Sequence, residues 1–522
     1  MAVSNRRAVN WILFTLLLWP LPGLGGETYL MKVTATINFG QDVGQNWGSL
    51  FEARDRDGRA VLGAGFVGVY NTAFRMDRFT LQFFVRDDEA EAEFETLPPS
   101  TEDGGSYLFD LDGRVYSCSY HQDRTARWWD DEAGGWQVDE SFGVGETVSG
   151  DGKMRIAGKI FQFKESEARY DGEIILPKPA KGRYHHFYYA LGYLTFFHKD
   201  QDSDPPFTTL YAVPWTPGSG PVDLDRAVTL DLKYPQETPF SIGQLGDEIV
   251  NSSNMGGVYV FDGSKWKIVR ASLAGVSFQL YSMLNWYDEM LIAQYPTGNL
   301  FRYDGSELRH LNDYPPVMPG VSGSVREAQT TAIYGGDVYV GVWPWSELWR
   351  YDAYADAWHF VKRMFRKPPI TDKMNHPYED RVVAYNEEHG TDLVANDWGQ
   401  RVTGLAPMGD ALYLSVSAKG CPVRDMRHSF LHDDEVWNQY RKVYRVRKPG
   451  SVSAPVAWTG KPTTLEFAID EERISIAQDG RILGTAPVRP GHAEKMVKDA
   501  DIQWGHGMFG PLRAEMRSNA VE

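Results

Sequence analysis

Cysteine is almost missing: Cys118 and Cys421 are the two in 522 residues. Thiols so far apart cannot form a disulfide framework, so the fold must rest on its own buried core. Two buried thiols or one bridge both remain open, the second needing close Cα atoms. Long apolar runs are lacking beyond the first 26 residues, which leaves no later stretch fit to cross a bilayer. No His-Glu-x-x-His, nucleophile elbow or phosphate-cradling loop occurs, so the compact signatures of zinc hydrolysis, acyl transfer and nucleotide binding are absent. Basic charge is short too. With 53 Lys and Arg against 70 Asp and Glu, the net charge is -17, which repels phosphate backbones and argues against nucleic acid as a partner. Solubility outside a cell is the simpler reading of that charge.

What is present is aromatic and punctuated. Hydrophobic residues make up 42%, charged residues 24% and aromatics 13%, with 17 Trp, 27 Tyr, 51 Gly and 29 Pro. That balance belongs to a folded chain of many short strands and turns. The length exceeds one ordinary core, so several domains or a repeat array are expected. At the start, Arg6 and Arg7 precede the apolar run Trp11 to Trp19, then Pro20, Pro22 and small residues through Gly26. This is the order of a secretory signal peptide over 1–26, with cleavage near Gly26 expected and an uncleaved anchor the alternative. The expected location is secreted, periplasmic or extracellular, with no membrane span once the signal is removed.

The chain repeats. Around Tyr334 to Val361, a Gly335-Gly336-Asp337 turn opens an alternating strand, Tyr351-Asp352 closes another, and Trp358 begins the next. Closing Asp residues recur at 87, 130, 171, 262, 304 and 352, with separations of 43, 41, 91, 42 and 48, the third being two units. Trp136 and Trp358 each follow their Asp by six residues. A period of 40–50 residues with several strands per unit is the signature of a β-propeller. Eight units can be counted, one of them weak, giving an all-β fold of seven or eight four-stranded blades. A stacked array of β-sandwiches is the alternative.

Leu348-Trp349-Arg350-Tyr351-Asp352 with Trp358 resembles the kelch repeat, in which a Tyr-Asp pair and a Trp six residues later frame a strand-turn-strand. Trp129-Asp130 with Trp136 has the same spacing. The resemblance implies four antiparallel strands per blade about a central axis, over 49–450. It departs from the family at Gly335-Gly336, which precede a strand rather than follow one. Two kelch-like or related propeller enzymes, galactose oxidase and the sialidases, offer no match for their catalytic residues here.

Two stretches break the period, 366–400 and 421–439, and long propeller loops tend to carry function. After Gly450 comes a small β-rich C-terminal segment, 451–522, whose strands at 464–469 and 473–477 resemble part of a laminin-G or concanavalin-like sandwich. The strand Tyr29 to Phe39, within an N-terminal segment 27–48, is expected to pair with it and bring the chain ends together.

Candidate chemistry is sparse. Asp200, Asp202 and Asp204 alternate as in the first half of a calcium loop, so calcium is the ion such a loop would take; Pro205 and Tyr211 stand where its glycine and bidentate Glu should be. In the insertions, His376, Glu379 and Asp397 are the candidate polar ligand contacts. Trp343, Trp345 and Trp398 are placed near loops where exposed rings could stack on sugar faces. His185 and His186 lie in an aromatic run, facing a channel or packed between blades. Asn251-Ser252-Ser253 is a glycosylation sequon. The expected protein is a monomeric, non-catalytic binder of a glycan or an extracellular protein. The alternative is a glycan hydrolase or lyase using carboxylates such as Glu379 and Asp397.

Overall fold

The computed structural model describes residues 29–516, apart from 40–48, 67–68, 72–78, 103–104, 120–124, 143–152, 165, 276–277, 287–288, 354, 371–374, 421–422, 499–500 and 505–511. The expected signal segment and Cys421 lie outside the described residues; Cys118 is buried. No described helix is long and apolar enough to cross a membrane.

The fold is an all-β propeller joined to a two-sheet layer. Among the described residues, seven antiparallel sheets share a plan of four meandering strands, the fifth unit's sheet gaining a fifth strand, Val69–Asn71. Units 1 to 6 span 107–138, 153–176, 183–231, 239–270, 279–311 and 327–363. Unit 7 takes three strands from 400–447 and its fourth, Glu93–Leu97, from before unit 1, pairing Val443 with Leu97. That exchange ties the two ends of the array together and removes two open edges. The first strands of units 3, 4, 5, 6, 7 and 1 lie against one another in that order, so they line the axis.

The repeat is visible in the turns between third and fourth strands. Asp130, Asp262 and Asp304 each use Oδ1 to accept two backbone amides just downstream, at 2.8 to 3.1 Å. A short carboxylate that holds its own turn is why Asp recurs there. The following tryptophan then packs back on the third strand: Trp358 lies 5.0 Å from Tyr351 and Trp136 lies 5.4 Å from Trp129, ring to ring. Burying such rings is worth roughly 1.5–3 kcal/mol each.

The two chain ends build the other layer. Met31–Asn38 pairs with Pro462–Ile469 in antiparallel register, Met31 opposite Ile469, and each buries alternate residues. Their sheet, completed by Arg473–Gln478, Arg481–Pro487 and Leu512–Met516, shares one core with a second sheet. This second sheet runs Ser451–Pro455, Thr80–Val85, Ala60–Phe66, Ser49–Arg54 and Asp501–Trp504. Strands 60–66 and 80–85, which the Asp spacing groups into a first repeat unit, thus lie in a sheet completed by C-terminal strands, 80–85 pairing directly with Ser451–Pro455. The misleading cue is real: Asp87 caps the same kind of turn, accepting from Glu89 at 3.0 Å and Ala90 at 3.2 Å. That turn, however, leaves the sandwich and leads into the strand Glu93–Leu97 that completes unit 7.

The sandwich sits on the end of the propeller where first strands turn into second strands. Arg86, 3% exposed, donates to Asp337 at 2.5 Å and to the Gly336 carbonyl at 2.8 Å. Gln82 donates to the Ile333 carbonyl at 2.8 Å. The glycine doublet that departs from the kelch pattern serves this junction. Gly336 has φ +80°, and a Cβ there would stand 2.4 Å from the Phe84 ring. Gly336→Ala is therefore expected to cost about 2–3 kcal/mol through overpacking and a left-handed backbone, read as a lower denaturant midpoint. An unchanged midpoint would mean that Phe84 yields freely.

Candidate functional site

At the opposite end of the axis the first strands begin, and there polar and aromatic side chains from five units meet. Tyr107 opens the first strand of unit 1, Phe240 is second in Pro239–Leu245, and Tyr281 is third in Gln279–Trp286. Glu327 opens Glu327–Tyr334, and Arg401 is second in Gln400–Met408. Each stands at the same mouth because each heads an axial strand.

Their contacts run from unit to unit. The Phe240 and Tyr281 rings stack with centroids 5.3 Å apart. Arg401 Nη2 donates to Glu327 Oε1 at 2.8 Å, and its Nη1 donates to the Tyr107 hydroxyl at 3.1 Å. Lys419, just past the strand Ala411–Ala418, brings Nζ to 3.8 Å from Glu327 Oε2 and 4.7 Å from the Trp343 ring. Glu327 is fully buried and Arg401 nearly so, whereas the Lys419 side chain is 32% exposed.

Burial and charge oppose each other here. Burial is the largest influence on the Arg401 cation and disfavours it, but Glu327, Tyr107 and Tyr281 together outweigh it and raise the guanidinium pKa. For Lys419, burial dominates over the attraction of Glu327, and its pKa is lowered. Burial, then the Glu327 charge, push the Tyr281 phenol well above its usual range. Two polar atoms stay without a hydrogen-bond partner: Glu327 Oε2 and Arg401 Nε.

The residues singled out from sequence fall elsewhere or serve otherwise. Trp343, Trp345 and Trp398 are 2%, 0% and 5% exposed. Their loop positions suggested exposed rings, but His376 and Gly399 pack on Trp343, and Trp398 lies in the core that the 366–400 and 421–439 insertions share with units 6 and 7. These insertions carry the helices Glu379–His389 and Asp434–Tyr440 and share a core with units 6 and 7. Trp345 lies under the Arg363 guanidinium at 4.8 Å. Trp343 meets the His376 ring at 5.5 Å, and Gly399 is obligatory beside it, since a Cβ would overlap the indole nitrogen. Glu379 begins the first insertion helix and Asp397 lies in the turn Ala395–Trp398; both are exposed.

Asp200 is buried as the last residue of Tyr193–Asp200, with Oδ1 accepting the Asp202 amide at 3.0 Å, while Asp202 and Asp204 are exposed at the following turn. The three carboxylates do not gather: among the described residues, no group of three or more His, Cys, Asp and Glu is placed to hold a metal ion. Asn251, 1% exposed within Glu248–Ser253, is no acceptor for glycosylation in the folded chain. His185 stacks on Phe197 at 5.0 Å, and burial, then the neighbouring His186, lower its pKa to about 4.

His376 is also buried, and burial, then the charge of Lys419, lower its pKa to about 3. The folded chain keeps it neutral, whereas the unfolded chain protonates it below about pH 6.5. Between those values the unfolded state binds more protons, so stability falls as pH falls, by up to about 1.4 kcal/mol per unit for this group. His376→Phe is expected to flatten the loss of melting temperature between pH 6.5 and 4 relative to the parent chain. Parallel curves would show that the ring is protonated in the fold.

The heads of the axial strands carry no local motif that marks them in the sequence, although their spacing follows the same period: 41 residues from Phe240 to Tyr281 and 46 from there to Glu327.

No protein-family model matches the chain, and no curated protein does. Among solved structures, the chain is similar to the extracellular domain of B. thetaiotaomicron BT4673 at 12% identity and TM-score 0.37, over 63% of this chain and 40% of that one. It is similar to the RRP9 WD40 repeats at 10% identity and TM-score 0.35, covering 69% of this chain and 100% of that one. For BamB from Moraxella catarrhalis the values are 9% and 0.32, over 65% and 82%. The chain thus spans less than half the length of the BT4673 domain. Its assignment as a propeller rests on its own strand pairing.

Proposed function

We propose that this chain is a secreted, periplasmic or extracellular β-propeller that binds a glycan or an extracellular protein as a monomer, without catalysis of its own. One observation carries the reading: side chains of five units converge at the axial mouth opposite the sandwich. Rings of Phe240 and Tyr281 stand beside the polar set Glu327, Arg401, Lys419 and Tyr107. Convergence of side chains from separate units in one place is how propellers and other ring folds build binding sites. The carboxylate of the set, Glu327, is held by Arg401, which suits recognition better than proton transfer. A hydrolase would need a second, differently tuned carboxylate across the scissile bond.

The test is a screen of the mature protein on glycan arrays and against extracellular protein fractions, with a product assay alongside. Specific binding without turnover supports the proposal, and released product overturns it in favour of the enzyme. Running the screen with and without calcium tests the loop of Asp200, Asp202 and Asp204 in the same experiment.

A further inference from the structure

We infer that the axial mouth takes an acidic glycan, a sugar that carries both a carboxylate and free hydroxyls, with Lys419 as the anion-binding residue. The inference rests on the mouth being the binding site, and it specifies the ligand class.

The chemistry of the unfilled positions carries the argument. Lys419 Nζ is 3.8 Å from Glu327 Oε2, beyond hydrogen-bonding range, and it faces an indole ring at 4.7 Å. The carboxylate it approaches already receives Arg401 at 2.8 Å. Glu327 and Asp397 both attract Lys419, but its ammonium closes no hydrogen bond with Glu327 and can therefore take a ligand anion, even in a chain of net charge -17.

The unpaired atoms narrow the ligand further. Arg401 Nε is a donor without an acceptor, and Glu327 Oε2 is an acceptor without a donor, both on side chains at least nine-tenths buried. A buried polar group left unpaired costs about 1–3 kcal/mol, so such atoms call for a ligand or an ordered water. A ligand carboxylate would satisfy the ammonium and the guanidinium; a hydroxyl on the same ligand would donate to Glu327. A sugar acid offers both within one ring. An acidic peptide offers the carboxylate but no fixed hydroxyl beside it. Phe240, half-buried and stacked on the buried Tyr281 ring, adds an aromatic neighbour to the polar set.

The experiment titrates the full mature chain by calorimetry with oligogalacturonate, a hyaluronan hexasaccharide and sialyllactose, each against its carboxyl-reduced neutral form, and with polyglutamate. At least one acid is expected to bind tenfold or more tighter than its reduced partner and than polyglutamate. Lys419→Gln is expected to remove that tenfold preference while the melting temperature stays put, because Lys419 is the exposed member of the cluster. Rescue by Lys419→Arg would separate charge from packing. Equal affinity for acid and reduced forms, polyglutamate binding as tightly, or a preference that survives Lys419→Gln would overturn the inference. Tight binding of a neutral glycan or a protein overturns this ligand class while leaving the binding function standing. No binding to any glycan or protein in the wider screen overturns both.

Discussion

Glu347→Ala is expected to destabilise the chain by about 3–5 kcal/mol, a large part of the net stability of an ordinary domain. Glu347 and Arg326 form an ion pair at 3.1 Å with both side chains fully buried. The pair does more than neutralise itself. Arg326 also donates to the carbonyls of Thr297 at 3.1 Å and Pro316 at 2.8 Å, and its own amide donates to Pro296 at 2.7 Å. It therefore pins the long connection between units 5 and 6 to the strand that unit 6 begins. Glu347 in turn accepts the Trp349 indole at 2.7 Å. Removing the carboxylate leaves a guanidinium with no water and no counter-charge, the costly half of a broken pair. Glu347→Gln keeps an acceptor for both donors and should lose roughly half as much. The double change Glu347→Leu with Arg326→Met removes both charges, yet it should recover only part of the loss, because the Thr297 and Pro316 carbonyls then lose their donor. Urea midpoints at constant slope check the series. A loss below about 1 kcal/mol for Glu347→Ala would show that the site opens to water.

Such a pair could not be read from the sequence, and the reason is general. Local patterns show themselves in one dimension: the Asp turns at 130, 262 and 304, the Trp six residues after Asp130 and Asp352, and the period-2 strands at both chain ends all announce short-range physics. The β-propeller architecture follows from these. What stays hidden is pairing across units. Arg326 and Glu347 sit 21 residues apart, Glu327 and Arg401 sit 74 apart, and Arg86 and Asp337 sit 251 apart. Nothing local marks them. Asp87 shows the limit from the other side, since a turn identical in kind to the repeat turns lies at the edge of the sandwich. The burial of the tryptophans stayed hidden for a related reason. Trp343 and Trp345 flank a loop of unit 6, and what covers them comes from elsewhere in the chain, His376 and Gly399 on Trp343, Arg363 and Gln400 on Trp345.

Arg86→Met should uncouple the sandwich from the propeller, with a stability loss of about 2–4 kcal/mol. Arg86 ties both sides of that junction. Its Nε donates to the Ala60 carbonyl at 3.0 Å, within the sandwich, while its two other nitrogens reach Gly336 and Asp337 of unit 6, at 2.8 and 2.5 Å. Asp352 lies at 3.5 Å. The expected loss is smaller than at Glu347 because Asp337 keeps a second cation, Arg350 at 2.6 Å, and is not stranded. What changes is cooperativity. The sandwich has its own core, from Met31 and Val33 through Phe467 and Ile476, and can stay folded when the junction weakens. Yet Glu93–Leu97 passes from this layer into unit 7 and closes the ring, so the two parts share a strand connection as well as an interface. The parent chain is therefore expected to melt in one calorimetric transition, and Arg86→Met in two, with the connections at 487–492 and 87–93 becoming open to protease first. Arg86→Lys, which retains charge but loses the fork that reaches both partners, should fall between. A single transition with an unmoved midpoint in Arg86→Met would mean that Gln82 and the connecting strand hold the junction without it, and the two layers would then count as one folding unit.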